Sequence, residues 1–278
     1  MIPPLVKFNA DDAPALLALS ESIGWPHELS DWRTALAASR IFGHRAEDAT
    51  VLSSSALYLF NPGFAALALV IVRDELRGRG LARAAVEECL RQAPDAAVIL
   101  VATEYGEPLY RKLGFRTVQQ VVRLIAPEGA SPGAEVSCAA MTAADLADAL
   151  ELDRAAYGCD RGVALRKRWQ SVERGVMLRD TAGAAQGFAW MTRQRGGLVI
   201  GPVIAPSARE AGWLVRSLAG DGRERLKLEV PDDQTEFIAA LKGAGFATDS
   251  ARAVMVKNAE QLPGERSRIF ALASLGYG

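Results

Sequence analysis

The first half of the chain is predicted to contain a strand, a glycine-containing turn, a helix and a second strand, each from its pattern of apolar positions. An unbroken apolar run at residues 64–72, FAALALVIV, predicts a buried strand. The turn RGRGLA at residues 77–82 follows, and apolar residues recur at helical spacing over residues 81–90. A second apolar run, AAVILVA at residues 96–102, predicts the next strand. This succession is typical of an α/β fold.

The turn that opens the predicted helix suits a phosphate group. Gly78 and Gly80 allow the backbone to approach a ligand closely, where a Cβ would intrude. The unpaired N–H groups lie at the positive end of the helix dipole, and Arg79 and Arg83 add positive charge there. A P-loop is excluded because Leu-Ala, rather than Lys-Ser or Lys-Thr, follows the second glycine. A dinucleotide-binding loop is excluded because position 83 is not glycine.

Two motifs together resemble the GNAT acyltransferases, whose acyl donor is acetyl-CoA. The turn has the form R-x-x-G-x-A after a strand ending V-x-x-E-L, which resembles the family's pyrophosphate loop. Further downstream, LYRKLGF at residues 109–115 resembles the end of the family's A-x-x-L-Y-x-K-L-G-F helix. The chain departs from this pattern at Thr103, where the family has an asparagine, and near Glu107 and Pro108, where it usually has an alanine.

The resemblance implies how the donor is bound. Residues of the turn would hold the pyrophosphate, and main-chain groups of the preceding strand would bind the pantetheine arm like an added strand. In the family a bulge splays this strand, so that one N–H faces the thioester oxygen and stabilises the developing charge. An ordinary strand–helix turn is the alternative interpretation. The donor-binding positions implied are Val70, Ile71, Val72, Arg77, Gly78, Arg79, Gly80, Leu81, Ala82, Arg83 and Thr103.

The resemblance also assigns Tyr110 as the general acid that protonates the leaving thiolate. A packing tyrosine is the alternative, and Tyr105 is a weaker substitute for the acid. The general base is not identified, because neither apolar strand contains an acid. Glu104 is the nearest carboxylate, although a glutamate in a first helical turn also simply favours the helix dipole. His27 and His44 could titrate near neutrality, and ordered water offers a route without a base.

In this family the region between the first two helices lines the acceptor pocket. Here that region contains Trp25, His27 and Trp32, together with the acids Glu28 and Asp31. Such residues suit a cationic or aromatic amine. Trp25 and His27 are therefore the predicted acceptor contacts. The alternative is that Trp32 packs in the core and His27 lies on the surface.

The second half of the chain repeats the first without its chemistry. The motif LGF at residues 113–115 recurs as AGF at residues 244–246, and the predicted strands and helices recur with it. At this offset the glycine turn becomes AREA at residues 208–211, and the tyrosine becomes Leu241. The second half is therefore predicted to be a degenerate copy, similar to the C-terminal half of some tandem GNAT proteins.

A stretch rich in proline and glycine, PEGASPG at residues 127–133, predicts a linker near the midpoint, before a new strand at residues 134–139. Beyond it, YGCDR at residues 157–161 and IGPV at residues 200–203 resemble segments of the second domain of tandem GNAT proteins. The predicted units are a catalytic GNAT domain at residues 1–126, a degenerate GNAT-like domain at residues 134–258, and a tail at residues 259–278 that packs back on the body.

Composition narrows the classes of partner. The net charge of −1 over 278 residues provides no global field for nucleic acid. The basic cluster of Arg161, Arg166, Lys167 and Arg168 is interpreted as a solvated helix face. Three scattered cysteines favour a reduced, cytoplasmic setting, and two histidines argue against a histidine-based metal site. Neither a signal peptide nor an apolar run long enough to span a bilayer is predicted.

These observations predict two tandem GNAT-like α/β domains, each a mixed twisted sheet flanked by helices. The first would be an acetyl-CoA-dependent N-acetyltransferase without a metal, acting on a primary amine of a small molecule or of a larger acceptor. The second would complete the acceptor cleft or replace a dimer partner, in a monomer or a homodimer that binds neither nucleic acid nor membrane. An acyl-CoA-binding sensor without turnover and a purely structural tandem domain are the alternatives. The acceptor and the acyl length are not indicated by the sequence.

Overall fold

The computed structural model describes residues 3–61, 63–128, 138–220 and 224–278. Most of the linker predicted at residues 127–133 and of the strand predicted at residues 134–139 lies outside these ranges. The first half contains β1 (Leu5–Lys7), α1 (Ala13–Ser22), α2 (Leu29–Ala38), β2 (Arg40–Arg45), β3 (Val51–Asn61), β4 (Phe64–Val72), α3 (Leu81–Arg91), β5 (Ala97–Val101), α4 (Glu107–Lys112) and β6 (Arg116–Ala126). The second half contains β7 (Ala139–Ala140), α5 (Leu146–Tyr157), α6 (Gly162–Trp169), β8 (Val172–Arg179), β9 (Ala185–Gln194), β10 (Gly197–Ile204), α7 (Ala208–Ala219), β11 (Leu226–Pro231), α8 (Thr235–Gly243), β12 (Ala247–Lys257) and β13 (Ile269–Ala271).

The helices of the two halves begin and end at matching capping residues. Asn9 and Thr142 precede α1 and α5, and each side chain accepts a hydrogen bond from a backbone N–H of the turn that follows. The aspartate three residues later accepts the backbone N–H of Asn9 or Thr142 in return, which completes a capping box. Gly114 and Gly245 follow α4 and α8 with φ of +86° and +95°, a conformation that glycine adopts without strain. The repeated succession predicted from the sequence therefore has the same local causes in both halves.

The described strands form one continuous mixed sheet. Its order is β1-β2-β3-β4-β5-β12-β6-β11-β10-β9-β8-β7, and β13 pairs with β10 beside this path. Equivalent strands of the two halves lie at equal distances from the centre, so an approximate two-fold axis passes between β12 and β6. Two GNAT-like sheets are thus present, as predicted, but they share their central strands.

The sheets are joined because the last long strand of the second half, β12, lies between β5 and β6 of the first. β12 pairs antiparallel with β5, with Val254 opposite Val101, and along its other edge with β6, with Arg252 opposite Val121. On the far side of β6, Glu229 of β11 lies opposite Arg123. β6 therefore connects directly to the sheet of the second half. Each half thus places its last long strand, β6 or β12, against the sheet of the other half, which we call the strand exchange. Hydrophobic patterning along the chain did not predict this exchange.

One face of the sheet carries a core that is common to both halves. It contains residues of α1, α2, α5 and α6, among them Leu16, Trp32 and Leu165. On the opposite face, α3 and α4 cover a core with Cys89 in the first half, and α7 and α8 cover a separate core with Phe237 in the second. The common face is therefore where the two halves meet. No helix within the described ranges is long and apolar enough to cross a lipid bilayer.

The YGCDR motif ties the last described segment to the body. Arg161 forms a salt bridge of 2.5 Å with Asp153, and the two side chains are 0% and 1% exposed. Arg161 also donates a hydrogen bond of 2.8 Å to the backbone carbonyl of Tyr277 and lies over the ring of Tyr157. The interpretation of the basic cluster as a solvated face is wrong for Arg161 and for Arg168, because both are buried. These buried arginines have partners inside the protein.

The strand exchange predicts that residues 1–126 do not form an independent unit. Without β12, the edge of β5 is unpaired, and an exposed apolar edge favours aggregation over a folded monomer. We expect the isolated fragment to lack a cooperative unfolding transition by circular dichroism, and co-expression with residues 138–278 to restore one. A monomeric fragment with a well-dispersed NMR spectrum would contradict this expectation.

Candidate active site

β4 and β5 form a cleft, because these parallel strands separate part of the way along. They pair at Phe64, Ala65 and Ala66 of β4, and no pairing with β5 continues beyond Ala66. A few residues further on, the register of β4 against β3 shifts between Ser54 and Ala56. Here Leu69 and Val70 lie opposite one residue of β3, which is a β-bulge.

The backbone at this bulge is strained. Leu69 has φ of +50°, which is rare for a residue with a side chain. The Leu69 carbonyl accepts a hydrogen bond of 2.7 Å from Ser54 Oγ, which holds the bulge in place. Strained backbone of this kind is often found at functional sites. The bulge lies on the splayed part of β4, where the resemblance implied it.

The glycine turn lies at the N-terminus of α3, close to the end of β4. Gly78 and Gly80 have φ of +77° and +86°, and a Cβ at Gly78 would meet nothing within 4 Å. Gly80 is the N-cap of α3, and the first turn of that helix contains no acid. The N–H groups at this end are therefore available to an anion. The adjacent Arg77 pairs with Asp74 at 2.6 Å on the protein surface.

A cavity of about 420 Å³ opens from the splayed strands and continues between the two halves. Volumes of this size suit a small molecule. Its walls come from β4, α2, α4 and α6, from the central strands, and from the segment around Tyr277. Of the predicted site residues, Trp25, His27, Val70, Thr103 and Tyr110 line this cavity.

Tyr110 projects from α4 into the cavity. The residue is 6% exposed, and its ring packs edge-on against Phe115. The absence of a side chain at Gly106 makes room for the ring, since a Cβ there would lie 2.8 Å from Tyr110 Cε2. Burial raises the pKa of the Tyr110 phenol above its usual value, so the hydroxyl stays protonated. No hydrogen-bond partner is found for it among the described residues. A protonated phenol without a partner can donate to a ligand.

His27 stands between two tryptophans at the start of α2. Its ring meets Trp25 and Trp32 edge-on, with centroid distances of 5.5 and 5.8 Å. Trp32 is fully buried and donates to Ser20 Oγ at 3.1 Å, so this wall is fixed. Burial lowers the pKa of His27, and nearby Asp31 opposes this only in part. The imidazole is therefore neutral at pH 7, and its Nδ1 is buried without a partner in the described structure.

The cavity is not lined by Glu104, Tyr105 or His44. Glu104 is exposed and is not a lining residue, and the ring of Tyr105 is 86% exposed. His44 is buried in β2 with Nδ1 2.7 Å from Ser53 Oγ. Thr103 lines the cavity, and its Oγ1 accepts the Gly106 N–H at 3.2 Å. Within the described ranges, no three side chains of His, Cys, Asp or Glu gather as a metal site.

Five charged lining residues were not identified from the sequence. In the alternating sequence LKLEV of β11, the leucines and the valine pack in the core beneath α7. The alternation alone predicts that the charged residues between them face solvent. The structure instead turns them towards the face that the halves share. The residues are Arg123, Arg168, Lys227, Glu229 and Arg252.

The equivalent cleft of the second half is filled by the protein itself. β10 and β11 pair only at Leu198 and Val199, and β13 then pairs with β10. The Leu272 N–H donates to the Glu229 carbonyl at 2.9 Å, and the Leu272 carbonyl leaves no room for a Cβ at Gly201. There is no glycine turn before α7, which has Glu210 in its first turn. Among its described residues, the second half thus has neither an open cleft between β10 and β11 nor a glycine turn for an anion before α7.

Comparison with known families accounts for both halves. The model of the acetyltransferase (GNAT) family matches residues 10–115, and the model of an acetyltransferase (GNAT) domain matches residues 149–271. The chain is a tandem GNAT protein. Because both halves match this family, the protein is an N-acetyltransferase.

Similar proteins match this chain over nearly their whole length. The Bacillus subtilis protein named uncharacterized N-acetyltransferase YitH is 27% identical over 283 residues, covering 100% of this GNAT protein and 99% of the relative. A crystal structure from Pyrococcus horikoshii, provisionally assigned as an acetyltransferase, has a TM-score of 0.82 at 16% identity and covers 99% and 95% of the two chains. A tandem GNAT protein from the clavulanic acid biosynthesis pathway has a TM-score of 0.64 at 14% identity, covering 91% and 98%. At these identities the two structures show the fold alone.

Proposed function

We propose that this protein transfers an acetyl group from acetyl-CoA to a primary amine of a small molecule. The observation that carries the proposal is the continuity of the splayed β4–β5 cleft with a cavity of about 420 Å³ into which Tyr110 projects. A donor held in the cleft would present its thioester to an acceptor in the cavity. The size of the cavity favours a small acceptor over a protein surface.

The donor would be bound mainly by backbone groups. The free edge of β4 at Val70, Ile71 and Val72 would pair with the pantetheine arm, since β5 has diverged there. The pyrophosphate would bind at the turn of Gly78 and Gly80, where the helix N-terminus is free of acids. An N–H at the bulge would polarise the thioester carbonyl and stabilise the oxyanion.

Two buried groups would move the protons. The amine nitrogen attacks the thioester carbon, a C–N bond forms, and the neutral imidazole of His27 accepts the amine proton. The tetrahedral intermediate then collapses, the C–S bond breaks, and the Tyr110 hydroxyl protonates the leaving thiolate. His27 replaces Glu104 as our candidate base, because it lines the cavity and has a free nitrogen. This pair also favours turnover over a sensor that only binds CoA.

One CoA is expected per chain, because β13 fills the second cleft. In Gly80→Glu a carboxylate would stand at the pyrophosphate position, so the affinity for CoA should fall by about tenfold or more, equivalent to at least about 1.4 kcal/mol. Gly80→Ala introduces the same backbone strain without the charge and serves as the control. Calorimetry on both variants and the parent measures affinity and stoichiometry, and two equivalent sites per chain would refute the assignment of the second half.

Tyr110→Phe removes one oxygen and keeps the ring in its pocket. If the hydroxyl protonates the thiolate, acetyl-CoA affinity should barely change, while the single-turnover rate should fall by roughly 10²–10⁴-fold. About tenfold is the lower bound, because a thiol with a pKa of about 8.5 is already a fair leaving group. Tyr105→Phe, on the exposed neighbour, is the matched control. A Tyr110→Phe enzyme as fast as the parent would make Tyr110 a packing residue.

Protonation of His27 should lower kcat/KM at acidic pH. Because burial lowers the pKa of His27 below 6.5, the base stays neutral at pH 7 and becomes protonated only under more acidic conditions. The plot of kcat/KM against pH should therefore have an acidic limb with a midpoint below 6.5. His27→Gln should lower the rate and abolish this limb. An unchanged limb in the variant would assign it to another group.

A further inference from the structure

Four charged side chains lie together on the common face of the central strands. Lys227 and Glu229 alternate with residues of the second half's own core along β11, and therefore point to the other face. Arg123 lies directly opposite Glu229 on β6, and Arg252 on β12 lies opposite Val121, two residues from Arg123. Register thus places all four on one side of three adjacent strands.

Arg168, from the last turn of α6, lines the same cavity. The residue is only 6% exposed, and its Nη2 donates to Thr192 Oγ1 at 3.0 Å. Its Nε is buried and has no hydrogen-bond partner in the described structure. A buried guanidinium with a free donor at a cavity wall has unused capacity to bind an anion.

The charges on this wall are not balanced. Glu229 pairs with Arg123 at 2.6 Å and offsets that residue. The remaining three cations have only neutral hydrogen-bond partners among the described residues: Arg168 with Thr192, Lys227 with Gln194 at 2.9 Å, and Arg252 with Ser250 at 3.2 Å. No carboxylate of the described chain forms a salt bridge with any of them.

The crowding of these like charges is electrostatically unfavourable. Burial and the neighbouring Arg123 lower the pKa of Lys227 and of Arg252, and Glu229 opposes this shift only in part. An uncompensated buried charge is costly, and an arriving anion with hydrogen-bonding oxygens would relieve that cost. The arrangement is therefore preorganised for a negative group.

We propose that the acceptor is an amine whose other end carries a carboxylate or a phosphate, which binds among Arg168, Lys227 and Arg252. This inference rests on the proposed acetyl transfer at the same cavity. The anion would hold one end of the acceptor against the second half, so that the amine faces His27 and the thioester. The second half then acts in acceptor recognition, although it has no donor site of its own.

Matched pairs of acceptors test the proposal in the full-length protein. Thiol release from acetyl-CoA is measured with γ-aminobutyrate against its amide, and with phosphoethanolamine against ethanolamine. The first pair measures the contribution of a carboxylate to acceptor use, and the second measures that of a phosphate. We expect the anionic member of at least one pair to be used with a kcat/KM higher by roughly tenfold or more, as charged hydrogen bonds imply.

Charge-removing variants assign the effect to the site. Lys227→Gln and Arg168→Gln should raise KM for the anionic acceptor by roughly 10–100-fold relative to KM for its neutral partner, while the affinity for CoA stays that of the parent. Lys242→Gln, on the exposed surface of α8, removes the same charge away from the cavity and is the control. Circular dichroism of each variant verifies folding. A variant that does not fold is replaced by Arg252→Gln.

The outcomes separate this inference from the proposed function. Equal kcat/KM for anionic and neutral acceptors, or an equal rise in KM for both in Lys227→Gln, would overturn the anion site. Either result would still be consistent with the proposed acetyl transfer. If no acceptor releases thiol, the same compounds are titrated into the CoA-saturated protein. Binding of anionic members that depends on Lys227 then supports the site while rejecting the proposed transfer. No binding overturns both.

Discussion

The insertion of β12 between β5 and β6 is the constraint on which the rest of this protein depends. It completes the sheet of the first half with a strand of the second, and it brings β6 against β11. Because antiparallel partners share a face, this pairing also sets Arg123, Glu229 and Arg252 side by side. A sheet closed within each half would not assemble that wall. The wall that we propose for acceptor binding thus depends on the insertion of β12.

A second constraint is the buried pair of Asp153 and Arg161, which fixes the segment around Tyr277. Desolvating two charges is expensive, and the cost is offset only when geometry and additional hydrogen bonds are good. Here the guanidinium meets the carboxylate, the Tyr277 carbonyl and the ring of Tyr157. The segment that it holds includes β13, which closes the second cleft, and residues that line the first cavity. The same anchor therefore holds the strand that fills the cleft of the second half and part of the wall of the cavity in the first.

The proposed donor side of the site could be predicted from the sequence because its signals are local. Gly78, Gly80 and Tyr110 lie within two short motifs whose spacing reflects one turn and one helix, and the structure has both. The proposed acceptor side could not be predicted in this way, because Arg123 and Glu229 are more than a hundred residues apart in the chain and meet only through the pairing of β6 with β11. Arg168 was misinterpreted for a related reason, since a run of basic residues on a helix does not indicate which of them a neighbouring domain covers.

The exchange also has a consequence for synthesis of the protein. β5 leaves the ribosome well before β12, and at about 5–20 residues per second the roughly 150 residues between them take about 7–30 s to translate. During that interval the nascent first half has an apolar strand edge without its partner. Such an edge is exposed to mispairing and to chaperones alike. The order of translation therefore delays completion of the first half's sheet until the second half is nearly finished.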